Sequence, residues 1–442
     1  MQIQLSDHFK YRRLFRFTIP SVLMMIFTSI YGVVDGFFVS NFVGKTPFAA
    51  VNFIMPLVMI LGAVGFMFGA GGSALVAKTF GEGNEERANR LFSLFIYITI
   101  GIGVLLTILT FIFLRPIVAM MGAEGAMLDD CVLYGRTVLI ALPFFMLQFE
   151  FQSFFIAAGK PHLGLIVSIA TGVTNMILDA LFVAVFQWGL VGAALATGIS
   201  QVLGGIIPLI YFTRPNNSTL RLVKTNFDGR AILKACTNGS SELMNNIAMS
   251  VVSMLYNIQL IKYAGENGIA AYGVLMYVNM IFLSIFIGYS TGIAPIVGYH
   301  FGAENHKELK SLLKKSMVII LTSSIAMFLL AELLGRPLSG IFVSYDAQLM
   351  DMTTRAFMIY SFSFLFSGLA IFGSAFFTAL NDGLTSALIS FLRTLVFQVA
   401  AVLILPLFWE IDGIWVSIVV AELIAALMTA LFLLWKRAKY HY

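Results

Sequence analysis

Charged residues are scarce in this sequence. Asp, Glu, Lys and Arg make up 11% of its 442 residues, whereas hydrophobic residues make up 59%. Soluble domains carry about 25% charged residues, and one water-soluble core cannot hide such an excess of apolar side chains. The composition therefore excludes an ordinary soluble protein and predicts an integral membrane protein with many spans.

Cysteines and catalytic motifs are also scarce. Cys131 and Cys236 are the two cysteines, and they lack the spacing of a metal site. The sequence contains no HExxH or nucleotide-binding motif. These absences argue against an enzyme, a bound cofactor and ATP-driven transport by this chain. The net charge of +5 does not require nucleic acid, because the topology described below accounts for it.

Long apolar runs recur along the whole chain. A helix that spans a membrane needs about 20 mostly apolar residues, which gives twelve predicted transmembrane helices in an all-α fold. The predicted spans are 15–41, 50–77, 92–114, 133–158, 162–186, 190–213, 232–261, 269–298, 313–335, 354–380, 384–409 and 413–435.

Lysine and arginine are concentrated in the terminal segments and in every second loop. One such segment holds Lys10, Arg12, Arg13 and Arg16, and another holds Lys307, Lys310, Lys314 and Lys315. Because positive charge favours the cytoplasmic side, we predict that both termini are cytoplasmic. The predicted location is the plasma membrane, here a bacterial inner membrane.

The sequence contains an internal repeat. FGEGNEERANRLFSL begins at Phe80 and FGAENHKELKSLLKK begins at Phe301, 221 residues later, which is half of 442. The same offset pairs Gly44 with Gly265 and Trp188 with Trp409. Six spans per half give both halves the same orientation, as in the parallel repeats of some secondary transporters. We predict an N-terminal six-helix lobe (1–213), a cytoplasmic linker (214–234) and a C-terminal six-helix lobe (235–442).

Two facing lobes suggest a central cavity and a rocking motion that gives alternating access. The alternative is a duplicated bundle without a transport role. Because acidic side chains are costly within a membrane, they are the first candidates for function.

Two aspartates stand out by their depth. Asp35 and Asp179 lie about 9 and 12 Å below the outer surface at a rise of 1.5 Å per residue. Other oxygen-bearing side chains are expected in the same layer, namely Tyr31, Asn175 and Thr197. Such a group can carry an exchangeable proton, or it can bind a small hard cation such as Na⁺, with Asp35, Asn175, Asp179 and Thr197 as ligands.

The repeat makes this pair informative, because its equivalents in the second half are Tyr256 and Ala400. No Lys or Arg occurs at that depth in the first half, so the two carboxylates are expected to share a proton. The alternative is two separately solvated carboxylates in a cavity.

Other polar residues at membrane depth are candidates for contact with substrate. Glu150 and Gln152, in LQFEFQS, lie in span four, and Glu242 lies near the inner entrance. Arg393 either lines the cavity, pairs with an acid such as Glu422, or reaches the headgroups. Pro20 frees a backbone carbonyl in span one and permits a bend there.

The sequence resembles the multidrug and toxic compound extrusion (MATE) family, and most closely its DinF/MepA-like branch. The resemblance covers essentially the whole chain and rests on IPSVLMMIFTSIYGVVDGFFVSNFVG, FAAVNFIMPL, AAGKPHLG, TNMILDALFV and GLVGAALATGISQ. It implies export driven by entry of protons or sodium ions. The positions matching the family's coupling-ion cluster are Tyr31, Asp35, Asn175, Asp179 and Thr197, and Pro20 matches a proline linked to bending. The acidic residues of the NorM-type C-terminal lobe are not matched, which directs coupling to the first lobe.

We therefore expect a monomeric secondary antiporter for cationic or amphipathic small molecules, with H⁺ or Na⁺ as the coupling ion. It would contact membrane lipid but no nucleic acid. One alternative is a flippase for a lipid-linked or polysaccharide precursor, which would need a basic cavity. Another is a channel or a membrane-embedded enzyme.

Overall fold

The structure is a computed structural model that describes residues 3–442, apart from the side chains of residues 40, 45 and 266. Within that range it contains helices and loops but no strand. The helices are α1 Tyr11–Phe38, α2 Lys45–Gly81, α3 Glu85–Met120, α4 Gly125–Leu139, α5 Leu142–Ala157, α6 Pro161–Asp179, α7 Gly189–Thr213, α8 Gly229–Gly302, α9 His306–Val343, α10 Ala347–Tyr360, α11 Phe364–Ala379, α12 Gly383–Phe391, α13 Gln398–Ile404 and α14 Pro406–Tyr440.

Twelve of the segments built from these helices can cross a membrane. Eleven described helical segments are long and apolar enough, and the bent pair α4–α5, with an angle of 58°, makes the twelfth. The long α8 counts as two of them, because its backbone is not helical at Gly265. The predicted fold class is therefore confirmed. The prediction for span four was wrong in its start, which is at Gly125 rather than residue 133, and in its straightness.

The backbone repeats with the offset seen in the sequence. Asn84 caps α3 by accepting a hydrogen bond from the Arg87 amide at 3.0 Å, and Asn305 caps α9 from the Glu308 amide at 3.2 Å. Positive φ angles also recur at equivalent positions, in the pairs Gly44 and Gly265, Gly83 and Glu304, and Gly189 and Glu410. Asn caps and left-handed residues end and begin helices, so the two lobes share their helix boundaries.

The connection between the lobes is shorter than the predicted linker 214–234. Residues 214–228 form no helix, and α8 begins at Gly229. Its start is fixed by Asp228, whose Oδ1 accepts hydrogen bonds from the amides of Arg230 and Ala231, both at 3.2 Å.

Both ends of the chain lie at one end of the bundle, which we call the basic end. The Phe9 ring lies 6.5 Å from the ring of His300, and the Tyr440 ring lies 5.7 Å from that of Phe301. The lysine- and arginine-rich loops lie at this end, so its charge matches the sequence prediction.

The lobes touch closely at the basic end, where α2 meets α8. A Cβ added to Gly81 would stand 2.0 Å from the Tyr299 carbonyl oxygen, and one added to Gly302 would stand 2.0 Å from that of Lys78. These four residues form two equivalent pairs of the repeat, so each lobe makes the same contact on the other. No side chain fits at either glycine.

Hydrogen bonds between the lobes also lie on this side. His8 Nδ1 lies 2.6 Å from Glu308 Oε2, the Phe9 amide donates to Glu308 Oε1 at 2.8 Å, and Asn381 donates to the Ala74 carbonyl at 3.3 Å. The farthest is Ser29 Oγ with Ser284 Oγ at 3.0 Å, about 27 Å along α1 from Tyr11. Beyond Ser29, no side-chain hydrogen bond between described residues joins the lobes. The bundle is thus held together at its basic end.

Candidate functional site

Asp35 and Asp179 come together in the N-terminal lobe. Asp35 lies in the last turn of α1, and Asp179 is the last residue of α6. Each helix continues as a π-helical turn, Val39–Val43 and Ala180–Val185, and such turns are frequent at functional sites. The two carboxyl groups are neighbours. The predicted convergence of the pair is therefore what the structure contains.

The oxygens of this group lack partners. Among described residues, no hydrogen bond reaches Oδ1 of Asp35, either Oδ of Asp179, Oδ1 of Asn175 or Oγ1 of Thr197, although all are buried. Neither carboxylate forms an ion pair with a described basic residue. Buried polar atoms without partners cost free energy of about 1–3 kcal/mol each. This arrangement suits a group that binds a proton or a small cation.

Tyr31 enters the same region from α1. Its ring packs on α6, where a Cβ added to Gly172 would stand 3.0 Å from Tyr31 Cδ1. Its hydroxyl lies beside the Gln148 side chain of α5. Gln148 in turn fills the space above Gly204 of α7, where a Cβ would stand 2.7 Å from its Cδ. Four helices thus meet around Tyr31.

Tyr134 is a site residue that the sequence reasoning missed. It lies in α4, is buried, and places its hydroxyl beside Thr197 and close to both aspartates. The predicted start of span four at residue 133 put Tyr134 at the outer surface. Since α4 begins at Gly125, Tyr134 is about 14 Å into the helix, at the depth of the aspartates. A correct helix start would have identified it.

Glu150 and Gln152 do not act together. At 100° per residue they point to different faces of α5. Glu150 is fully buried, with its backbone against Gly69 of α2 and its carboxyl group beside Thr99 of α3, inside the N-terminal lobe. It therefore does not line the space between the lobes. Gln152 shares its face with Gln148, and both line a cavity of about 10 Å³ with Ser168 and Thr171, which is room for about one water.

Arg393 is held by an ion pair. Its Nε donates to both Glu422 carboxylate oxygens at 2.9 and 3.1 Å, and Nη2 donates to Oε1 at 2.9 Å. The pair is almost fully buried. Of the three sequence alternatives, pairing with Glu422 is the one realised. Nearby, Tyr256 stacks on Tyr272 with ring centroids 5.3 Å apart.

The two remaining predicted residues lie elsewhere. Glu242 is partly buried in α8, one turn from Gly239, where a Cβ would stand 1.9 Å from the Met67 carbonyl oxygen of α2. It thus lies where the lobes meet. Pro20 lies within α1, which is a single helix from Tyr11 to Phe38, so bending at Pro20 stays a prediction.

The side chains around the aspartate pair offer oxygen ligands. Among described residues, no three His, Cys, Asp or Glu side chains form a metal cluster. Two carboxylates with neutral amide and hydroxyl oxygens supply hard ligands that suit a small hard cation. The same atoms can equally hold a shared proton.

The chain is similar to known proteins in family, sequence and structure. The MatE family model matches residues 20–181 and 243–404, once in each half. The multidrug export protein MepA of Staphylococcus saprophyticus is 25% identical over 429 residues, covering 95% of this chain and 93% of that protein. A MATE crystal structure in complex with MaL6 has a TM-score of 0.91 at 21% identity, covering 97% of this chain and 95% of that one. An outward-facing multidrug resistance MATE transporter has a TM-score of 0.90 at 23% identity, with the same coverage.

Proposed function

Because the chain belongs to the MatE family, we propose that it is a secondary antiporter, and not an enzyme, that exports cationic or amphipathic small molecules in exchange for protons or sodium ions. The export of drugs is named for the MepA relative and is carried to this chain as part of the proposal. The observation that carries the coupling is the Asp35–Asp179 pair, whose buried oxygens lack partners in the described chain.

The contacts between the lobes support a mechanism of alternating access. The lobes are joined from the basic end to Ser29, and Asp35 lies beyond that point on α1. If the basic end faces the cytoplasm, as positive charge favours, the lobes are joined on the inner side and the aspartate pair lies toward the outer side. We propose a monomer in a bacterial inner membrane, with both termini cytoplasmic, whose lobes rock between this state and an inward-open one.

Helix α1 is the proposed link between the ion and the lobes. Its first half is buried against the C-terminal lobe through Leu14, Phe17 and Met24, whereas its last turn carries Asp35. Proton or Na⁺ binding would remove the repulsion between Asp35 and Asp179 and supply their unpaired oxygens with a partner. The last turns of α1 and α6 would then pack together, α1 would rearrange, and the bound organic cation would be displaced outward.

The flippase alternative needs a basic cavity for its anionic substrate. Two arginines within the predicted spans could contribute to such a cavity, but Arg393 pairs with Glu422 and Arg136 donates to the Phe111 carbonyl at 3.2 Å. No observation therefore favours a flippase over an antiporter.

The test is transport in proteoliposomes that contain a fluorescent organic cation. An inward proton gradient and an inward Na⁺ gradient are imposed separately on wild type, on Asp35→Asn and on Asp412→Asn. Asp412 is a matched control, because it is a carboxylate of the C-terminal lobe that pairs with Arg355 at 2.6 Å. We expect one gradient to drive export in wild type and Asp412→Asn, and neither gradient to do so in Asp35→Asn. Export that ignores both gradients, or that survives in Asp35→Asn, contradicts the proposal.

A further inference from the structure

A lateral groove lies on the outside of the N-terminal lobe, between α1 and α6. Its volume is about 540 Å³, and its walls carry three basic residues, Arg12, Arg16 and His162, beside apolar ones, Phe15, Ile19, Pro20, Leu23 and Leu165. It is separate from the space between the lobes and from the aspartate pair.

The groove is ordered by charge along α1. Its α1 residues recur at spacings of three and four, so they form one face of the helix. The arginines come first, at the basic end, and the apolar residues follow toward the membrane centre. The distance from Arg12 to Leu23 is about 16 Å along the helix, and one leaflet of the hydrocarbon core is about 15 Å thick.

The arginines of the groove are available to a ligand. Neither Arg12 nor Arg16 forms an ion pair with an acidic residue of the described chain, whereas the neighbouring Arg13 lies 3.6 Å from Asp7. Of the described residues that line the groove, none is acidic. Phe15, Ile19 and Leu23 leave 40–47% of their surface exposed, which in a membrane is surface for acyl chains.

We propose that this groove binds one anionic phospholipid of the leaflet at the basic end. Arg12 and Arg16 contact the phosphate, which guanidinium groups recognise through paired N–H donors. The acyl chains lie along Phe15, Ile19, Leu23 and Leu165. This inference goes beyond the transport function and does not depend on it. It does place a lipid against α1 and α6, the two helices that carry Asp35 and Asp179.

The test uses the purified full-length protein in detergent, with dioleoyl phosphatidylglycerol or dioleoyl phosphatidylcholine added. Native mass spectrometry counts the bound lipids, and a thermal unfolding scan measures stabilisation. The variants are Arg12→Gln/Arg16→Gln and, as a control with the same charge change, Arg214→Gln/Arg230→Gln. The control arginines are exposed at the basic end and do not line the groove. Leu165→Trp fills the groove without changing its charge.

We expect wild type and the control to retain one phosphatidylglycerol more tightly than phosphatidylcholine and to be stabilised by it. In the groove double variant the affinity should fall about 25-fold, since each of the two basic residues near a membrane surface adds about a factor of five. Leu165→Trp should lose the lipid as well, which keeps the test valid if the double variant folds poorly. An equal loss of lipid affinity in the control would mean that general surface charge attracts the lipid. Lipid binding that persists in both groove variants would place the lipid elsewhere. Stabilisation by soluble glycerol phosphate to the same extent as by phosphatidylglycerol would mean that the groove binds a free anion rather than a lipid. Each of these three results overturns the proposal.

Discussion

The two lobes carry different polar groups at equivalent positions of the repeat. In the N-terminal lobe, Asp35 and Asp179 are neighbours without a basic partner. In the C-terminal lobe their equivalents are Tyr256 and Ala400, and this lobe instead buries the ion pair of Arg393 and Glu422. Those two residues are equivalent to Gly172 and Gln201 of the first lobe.

The two lobes differ in how their buried charged groups are neutralised. Arg393 and Glu422 neutralise each other through three hydrogen bonds, so this pair needs nothing from outside. The aspartate pair has no such partner among the described residues, so its oxygens are free to bind a proton or a cation. The C-terminal lobe thus contains an ion pair that neutralises itself, whereas the N-terminal lobe contains a site without a partner. We place the ion coupling in the N-terminal lobe.

The largest expected effect on stability comes from splitting the C-terminal ion pair. Glu422→Gln leaves Arg393 buried and unpaired, so the free energy of unfolding should fall by about 3–5 kcal/mol. The double variant Arg393→Met/Glu422→Leu removes both charges at similar volume and should recover most of that loss. Thermal unfolding in detergent measures both. A double variant as unstable as Glu422→Gln would mean that the pair has a role beyond mutual neutralisation.

A smaller effect is expected when single hydroxyl groups of the two lobes are removed. Tyr134→Phe deletes the hydroxyl beside Thr197 and the aspartates, so the coupling-ion concentration for half-maximal export should rise about tenfold. Tyr256→Phe is the matched change, because the Tyr256 hydroxyl has no hydrogen-bond partner among described residues. It should leave that concentration unchanged. Equal shifts in both variants would place part of the ion site in the C-terminal lobe.

The smallest effect concerns the helix starts at the basic end, where Asp382 of the second lobe is equivalent to Pro161 of the first. Burial raises the pKa of Asp382, but hydrogen bonds from Tyr440 at 2.8 Å and Thr385 at 2.9 Å outweigh it, together with Lys436, and hold the pKa below its ordinary value. A lowered pKa in the folded state stabilises above the unfolded pKa, and this contribution is lost as the pH falls through the folded value.

Asp382→Asn should therefore lower the free energy of unfolding by about 1–2 kcal/mol at neutral pH, and the gap to wild type should close below about pH 4. Unfolding in detergent across this pH range measures it. Asp346→Asn is the control, because Asp346 also caps a helix, through the amides of Gln348 and Leu349. A gap that stays constant with pH would show that the Asp382 charge contributes nothing.

Much of the fold could be predicted because membrane spans and repeats can be recognised from short stretches of the sequence. Apolar length gives the spans, and the offset between Phe80 and Phe301 gives the two lobes. The break between α4 and α5 was not predictable in this way, because no simple pattern of apolar residues marks it. The break in α8 was predictable, since Gly265 lies between the predicted spans 232–261 and 269–298.

The site residues that could be predicted are those for which depth in the membrane was sufficient evidence. Asp35 and Asp179 are charges at matching depth, so their meeting followed from helix length. Tyr134 was missed because a wrong helix start gave it the wrong depth. Depth gave Glu150 as a candidate for contact with substrate, but depth does not reveal which face of α5 meets the other lobe, and the structure places Glu150 inside the N-terminal lobe.

The most direct test of this account compares the two charge pairs in one transport assay. Asp35→Asn and the double variant Arg393→Met/Glu422→Leu are reconstituted side by side, and export of a fluorescent organic cation is measured under the gradient that drives wild type. We predict that export is lost in Asp35→Asn and retained in the double variant. Export that persists in Asp35→Asn but disappears in a folded double variant would place the coupling in the C-terminal lobe and contradict it.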